Sequence, residues 1–545
     1  MARLLLVSGK VSVGFNAEPS LGLYQLAAWV KGRGVEVDLL DRELDAPDQW
    51  LTRAAEGAYD IIGFSVSHPH MLEELDLLWR FRAAAEQGAN PTVFIAGGQE
   101  AALNWRQWLD VGIEVCFLGF AEKTLTEFCR RRDAGAATVA DLCRGLDGVA
   151  WRDDGGAEVF SPAPALTAAE FSGLFHDHFR QVVIPYDRYW AMVRRRMADI
   201  ELGAARYVIE NLRLYTSSHC PRRCGFCSSQ AFLPQSQDGP LPIIALTAPQ
   251  VVDLVRHAVD TYGARGVLFS DDDFPIGNKF GIDRLTEFCR TIIDLKGKGE
   301  LPGDLQFGCQ ARALDFVLRG DGNRRPNRDL LQLMRQAGFV SIGIGVETFC
   351  DRLLGMPSVN KVGVSVADCR MVIDAILDAG IAAKVQLIVG IPESTVDELT
   401  ETIVTALHYV RRGCDISING QMLAMPGAPV FDQGLYEQAA LSWTHPRTGR
   451  AEAIADYFIP SDPLIARVAN RYVDAADAEL AELCRRMGWE GKWVHKRVVT
   501  LTGLMAVARL VERPDLLALC EAALDDVVAK RTGVRTGPGS LQGED

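Results

Sequence analysis

Short unbroken apolar runs alternate with helix-length stretches in which apolar residues recur three and four apart. Residues 1–145 show this most plainly. Arg3–Val7, Val35–Leu40, Asp60–Val66, Thr92–Gly98 and Glu114–Gly119 read as buried strands. Leu21–Lys31, Met71–Ala85 and a stretch from about Lys123 read as helices. Strand and helix in strict alternation predict a doubly wound α/β domain with a parallel sheet. Residues 146–205 form a connecting segment. Val149–Phe160 in it reads as a hairpin with Asp-Gly-Gly at the turn. A Pro/Ala-rich stretch and the aromatics Phe179, Tyr186, Tyr189 and Trp190 follow.

Over residues 206–435 the alternation resumes. Six strands are expected: the run at Leu212, then Val267–Ser270, Leu305–Gln310, Val340–Glu347, Ala383–Gly390 and Asp415–Gln421. Helical stretches lie between them, as in a (β/α)6 partial barrel, whose chemistry gathers at the C-terminal strand ends. Residues 436–545 read as a helical C-terminal domain, with amphipathic runs at Pro463–Met487 and Lys496–Leu510. Its aromatics are Trp443, Tyr457, Phe458, Trp489 and Trp493, and its Gly-rich tail from Gly533 is expected to be disordered.

A chain of 545 residues accommodates about three such domains. With 48% hydrophobic and 23% charged residues it reads as an ordinary globular protein. A formal net charge of −14 excludes a nucleic-acid partner held mainly through phosphates. The run Leu4–Val7 is too short for a signal peptide and leads into Ser8-Gly9, as a buried strand would. No stretch approaches the ~18 apolar residues of a membrane span. The protein is therefore expected in the cytoplasm, away from membranes.

Three of the thirteen cysteines carry the chemistry. Cys220, Cys224 and Cys227 lie in one loop, with three and two residues between them, just after a strand-like run. Thiolates so clustered suit an iron–sulfur cluster. Three ligands on a four-iron cubane leave one iron open to a small chelating molecule. Zinc usually takes four ligands, often from paired hooks. Here there is one hook, and His219, adjacent to Cys220, is poorly placed to complete a tetrahedron. A disulfide staple would need an oxidising compartment. The other ten cysteines are scattered singly and read as buried small hydrophobes, so one cluster is expected.

A triad of this spacing after the first strand of a β/α barrel resembles the radical S-adenosylmethionine (SAM) enzymes. The resemblance implies a [4Fe–4S] cluster on Cys220, Cys224 and Cys227, with SAM bound through its amine and carboxylate to the open iron. Phe226 matches the aromatic placed near the adenine. The second strand ends in Ser270-Asp-Asp-Asp-Phe, where the family usually has Gly-Gly-Glu; Asp271 and Asp272 are the expected partners of the SAM amine. Arg312 is expected at the SAM carboxylate, because a guanidinium fork matches it bidentately. Glu347 resembles the fourth-strand acid that meets SAM. Gly390-Ile-Pro-Glu-Ser-Thr resembles the fifth-strand element that lines the adenine through Ile391. Each of these has an alternative reading as a barrel-rim salt bridge or turn.

The Gly-rich loops of the first domain resemble the Rossmann-like cobalamin-binding domain that precedes many such barrels. They supply Ser20, Leu21 and Gly22; Ser65, Ser67 and His68; Gly97, Gly98 and Gln99; and Gly119, Phe120 and Glu122. The resemblance implies cobalamin, as methylcobalamin, beyond the strand ends. The loop Gly9–Asn16 lacks the Asp-x-His-x-x-Gly motif that coordinates cobalt. His68 or His70 would then approach the lower cobalt face, the alternative being that both are solvated loop histidines.

The combination implies a cobalamin-dependent radical SAM methyltransferase acting on a carbon of a small, natural-product-type molecule. Its route would run through a 5′-deoxyadenosyl radical, with flavodoxin or ferredoxin as external electron donor. Cyclisation, ring contraction or rearrangement is the alternative, and a non-catalytic sensor a third reading. The substrate, the choice between methylation and rearrangement, the lower cobalt ligand and the oligomeric state stay open.

Overall fold

The computed structural model describes residues 2–9, 18–196, 209–237, 239, 241–320, 323–490 and 494–532. Two parallel sheets, one behind each cofactor-type sequence pattern, organise the chain. The Gly-rich tail and Trp493 lie outside the described residues.

The first sheet has seven strands: β1 (Arg3–Val7), β2 (Glu36–Leu40), β3 (Ile61–Ser65), β4 (Val93–Gly97), β5 (Val115–Phe117), β6 (Val149–Arg152) and β7 (Glu158–Ser161). Their order is β2-β1-β3-β4-β5-β6-β7. The first five are parallel, and Leu4, Leu5, Leu6, Ile61, Ile62, Val115 and Cys116 are buried with helices on both faces. The expected hairpin is β6–β7, and it closes this sheet as an antiparallel edge. Strand order reverses between β1 and β3, and ligands of open α/β sheets bind outside the carboxyl ends of the strands at such a reversal.

The second sheet has the six expected strands, all parallel, in the order β15-β14-β13-β10-β9-β8. These are β8 (Asn211–Leu214), β9 (Gly266–Phe269), β10 (Gln306–Ala311), β13 (Phe339–Glu347), β14 (Ala382–Ile388) and β15 (Asp415–Asn419). Between β10 and β13 lies a small hairpin, β11 (Val317–Gly320) with β12 (Asn323–Pro326), that the pattern did not announce. Side chains alternate across a strand. Leu212, Leu214, Val267, Phe269, Phe307, Ile342, Ile344, Val385 and Leu387 are buried in the main core. Arg213, Gln310, Lys384, Gln386 and Ser417 on the opposite face are only half-buried. That face is a polar lumen. Gln386 donates to Gln310 at 3.3 Å across the intervening strand, because Gly343 between them has no side chain; a Cβ there would run into Gln310.

Phe269, Phe274, Phe288, Phe307 and Phe339 stack beneath the β9 end, each no more than 2% exposed. The Phe269 and Phe274 rings lie 4.0 Å apart, centroid to centroid. Phe274 thus nails down the aspartate run that precedes it.

The C-terminal part contains the two expected helices at Pro463–Met487 and Lys496–Leu510, and a third at Pro514–Thr532. It opens, however, with a hairpin, β16 (Gln438–Thr444) and β17 (Ala451–Phe458), where only helix was expected. This hairpin reaches back over the first domain. Ile454 is part of that domain's core and Trp443 packs on it. Gln107 donates to the Ala453 carbonyl at 3.0 Å, and Arg447 pairs with Glu86.

Candidate active site

The cysteine loop begins where β8 ends, and the ends of the neighbouring strands hold it. Asp271, just past β9, accepts from the Thr216 N–H at 2.9 Å, from its hydroxyl at 3.0 Å and from the Ser217 hydroxyl. Arg284 backs this clamp. It donates to Thr216 Oγ1 at 3.1 Å and to the Phe274 carbonyl at 2.7 Å. Within the loop, Arg222 donates to Asp273 at 3.0 Å, to Asp315 at 3.3 Å and to the Ile276 carbonyl at 2.6 Å. Gly225 lies so close to the segment after β13 that a Cβ would run into the Pro357 and Ser358 carbonyls. Its N–H donates to the Val359 carbonyl at 3.2 Å.

The three thiols this frame presents are unpaired and half-buried. Among the described residues no three Cys, His, Asp or Glu side chains gather round a single-ion site. A cubane takes each thiolate on a different iron and does not need them to converge on one ion. The Arg222 N–H points at the Cys220 sulfur, and Ser229 donates to Cys227. Burial pushes the Cys220 thiol up to about 12, so bound iron is what would hold it as thiolate. The donor set fits an iron–sulfur cluster.

The three consecutive aspartates have three different surroundings. Asp271, expected at the SAM amine, is fully engaged by Thr216 and Ser217. Asp273 is buried against Arg222, with Asp315 alongside; burial, and then repulsion from Asp273, holds Asp315 well above the usual carboxylate range. Asp272 is the exposed one of the three and, with Asp271, lines a cavity. Protein nonetheless surrounds it closely enough to raise its carboxyl, with Ser229 donating to it.

Glu347 is also committed. It has a left-handed φ of 67°, and its Oε1 lies 2.9 Å from Lys361 Nζ, both side chains buried. Lys361 donates as well to the Gly345 carbonyl and stands near Cys224. Arg312 differs: its Nε is buried with no partner among the described residues. Ile391 is 1% exposed, and Phe226 packs half-buried on the barrel core.

The cavity, of roughly 500 Å³, lies between the two domains. One wall is made of loops from the first sheet: Ser20–Gly22, Ser65, Gly97–Gln99, Gly119, Phe120 and Glu122. Gly98 has φ 100°, a conformation glycine adopts without strain. The other wall comes from the barrel mouth: Arg213, Tyr215, Ser217–His219, Ser229 and Ser270–Asp272. Gln99 donates to Ser228 at 3.0 Å and ties the two walls together. Buried polar atoms on both sides, Glu122 Oε2 and Ser270 Oγ, have no partner among the described residues. Orphans of this kind fit a polar ligand.

Six expected contacts are not among the residues lining this cavity: Phe226, Arg312, Glu347 and Ile391 on the barrel, and Ser67 and His68 on the first domain. Ser67 turns to Glu74, its N–H donating at 2.8 Å and its hydroxyl at 3.1 Å. His68 is buried with its Nδ1 3.5 Å from Glu100, and is not a solvated loop histidine. His70 is likewise outside the lining. Sequence reasoning missed Tyr215, His219 and Ser229 as lining residues and Arg222 as the loop's anchor. Proximity to the cysteines was the only signal for them.

The "B12 binding domain" family model matches residues 11–129 and the "Radical SAM superfamily" model residues 214–406. The chain is 26% identical over 341 residues to the anaerobic magnesium-protoporphyrin IX monomethyl ester cyclase of Cereibacter sphaeroides. That match covers 62% of this chain and 48% of the cyclase, so the chain spans about half that relative's length. Among solved structures, it is similar to the radical SAM methyltransferase TsrM of Kitasatospora setae, with tryptophan substrate and a SAM analogue bound. The TM-score is 0.59 at 16% identity, covering 96% of this chain and 100% of that one. It is similar also to the cobalamin-dependent SAM radical enzyme OxsB, with a TM-score of 0.62 at 13% identity, covering 98% and 81%. These two likenesses show the fold. With the two domain matches and a cavity that both domains line, the chain carries a B12 binding domain followed by a radical SAM domain, and the cofactors of this pair are a [4Fe–4S] cluster, SAM and cobalamin.

Proposed function

We propose that the protein is a C-methyltransferase acting on a small molecule held at the barrel mouth. The shared cavity carries this reading: corrinoid-side loops and the cysteine loop face the same roughly 500 Å³, bridged by Gln99 and Ser228. When bound, the cluster with SAM supplies a carbon-centred radical and cobalamin supplies the methyl group. The protein's own residues hold and orient. Asp272 is the free carboxyl for the SAM ammonium, since Asp271 and Glu347 are engaged elsewhere. Arg312, with its unpartnered Nε, is the match for the SAM carboxylate. Phe226 and Ile391 supply apolar surface for the adenine. Ser20–Gly22, Ser65, Gly97–Gln99, Gly119, Phe120 and Glu122 contact cobalamin. The first domain caps the mouth and excludes water. A reducing compartment such as the cytoplasm, and an external one-electron donor, complete the reading; all thirteen cysteines are unpaired, and no helix among the described residues is long and apolar enough to cross a membrane.

Cyclisation without methyl transfer is the second reading, favoured by the likeness to the cyclase of Cereibacter sphaeroides. The test is anaerobic reconstitution with iron, sulfide, cobalamin and SAM labelled in its methyl group, followed by product analysis with candidate small molecules. Label in the product, with 5′-deoxyadenosine released, is expected. 5′-Deoxyadenosine with an unlabelled cyclised or dehydrogenated product selects the second reading. Retention of neither iron nor corrinoid sinks both.

A further inference from the structure

The cysteine loop has an outer side as well as a cavity side. It reaches the surface at Pro221 and Arg223, both exposed. Two other segments bond to it there, and a third bonds to one of these. Asn360 Nδ2 donates to the Arg223 carbonyl at 2.7 Å. Arg324, on β12, donates to the Gly363 carbonyl at 2.9 Å. Arg222 donates to the Ile276 carbonyl, ahead of the helix that starts at Lys279. The surface so joined presents Arg223 and Arg319 with Val362 and Phe280, which are 75% and 54% exposed. Arg324 is neutralised by Asp368. The Arg223 and Arg319 side chains have no acidic partner among the described residues. Arg319 and Arg324 also stand directly opposite each other on the β11–β12 ladder.

We propose that this surface docks the external reductant, a small acidic one-electron carrier protein. The inference rests on reading the cysteine loop as the cluster site. Arg223 adjoins Cys224, so a carrier seated here has only the loop between its redox centre and the cluster, whereas the first domain covers the cavity side. The chain carries a net charge of −14, so its overall field opposes an acidic partner while these two unpaired guanidinium groups attract one; such complementarity raises association rate and fixes orientation. One electron leaves the reduced carrier and enters the cluster: the carrier is oxidised by one electron, the cluster reduced by one, and no proton is required.

The test uses the full chain with its cluster loaded. Flavodoxin hydroquinone and dithionite are compared as reductants by stopped-flow bleaching of the cluster absorbance. Binding of oxidised flavodoxin is measured separately by calorimetry, which needs no turnover. Arg223→Glu with Arg319→Glu is expected to slow reduction by flavodoxin at least about tenfold and to weaken its binding to match. Dithionite should reduce the same variant at the wild-type rate, and Arg471→Glu, on the C-terminal helix Pro463–Met487, should leave both rates unchanged. Raising salt from about 50 to about 300 mM should slow only the flavodoxin reaction. If the double reversal disturbs cluster content, Arg223→Gln with Arg319→Gln decides by the same measurements. Wild-type flavodoxin kinetics in a variant with an intact cluster overturns the proposal. So does a wild-type cluster that dithionite reduces and flavodoxin does not. A chain that takes up no cluster ends the cluster reading first and this inference with it, and iron content identifies that outcome.

Discussion

Asp271, Asp272 and Asp273 are identical in chemistry and separate in role because their neighbours differ. Two are consumed by hydrogen bonds and ion pairs that hold the cysteine loop, and the middle one faces the cavity. Asp272→Asn should therefore leave thermal stability within about 0.5 kcal/mol, as substitutions away from structural bonds do. It should weaken SAM binding about ten- to hundredfold, the worth of a hydrogen bond to a charged group. Calorimetric SAM titration of the cluster-loaded variant checks this, and unchanged affinity removes Asp272 from the site. Glu74 supplies a pH dependence. Burial raises its carboxyl to about 7 from an ordinary 4.5, against the donors of Ser67. Below about pH 4.5 folded and unfolded chains both hold the proton. Between about 4.5 and 7 only the folded chain holds it, so stability falls as pH rises through that window and the loss is complete above it. Glu74→Gln keeps an acceptor and drops the titration. Its stability relative to wild type should rise between pH 5 and pH 8 by on the order of 3 kcal/mol. Parallel urea midpoints across that range would count against this account.

At the scale of elements, the cysteine loop owes its shape to its surroundings. It has no regular secondary structure, and its bonds run to Asp271, Asp273, Asp315 and the 357–360 segment. Gly225→Ala is expected to push the loop off the Pro357 and Ser358 carbonyls. Iron content after anaerobic reconstitution should fall severalfold while far-ultraviolet circular dichroism stays unchanged. Full iron loading would show that the close approach is not needed. The β strands and long helices of both domains were legible because each repeats one period over many residues. The hairpin β16–β17 was not. Its strands are rich in alanine, which carries no strand preference, and it sits on the outside of the first domain, so only one short stripe of it is apolar.

At the scale of the molecule, that hairpin connects the C-terminal part to the first domain. Trp443 is half-buried on the first domain's core. Trp443→Ala should lower stability by about 1–3 kcal/mol and loosen the wall that faces the barrel. Calorimetry should show the first domain melting earlier, and corrinoid retained after desalting should fall. A single unshifted transition with full corrinoid would mean that the hairpin does not hold the domains together.

What the amino-acid sequence settles alone is whatever local chemistry decides: two α/β patterns, their strand order along the chain, three clustered thiols and a set of Gly-rich loops after strands. These depend on periodicity and on neighbours a few residues away. Which of several equivalent carboxylates faces the ligand is a different kind of property. Asp271, Asp272 and Glu347 were indistinguishable until Thr216, Ser229 and Lys361, up to 55 positions distant by residue number, were seen beside them. His68 looked available as a loop residue and proved to be buried next to Glu100. The partners that engage a charge come from elsewhere in the chain, and only packing brings them within bonding distance.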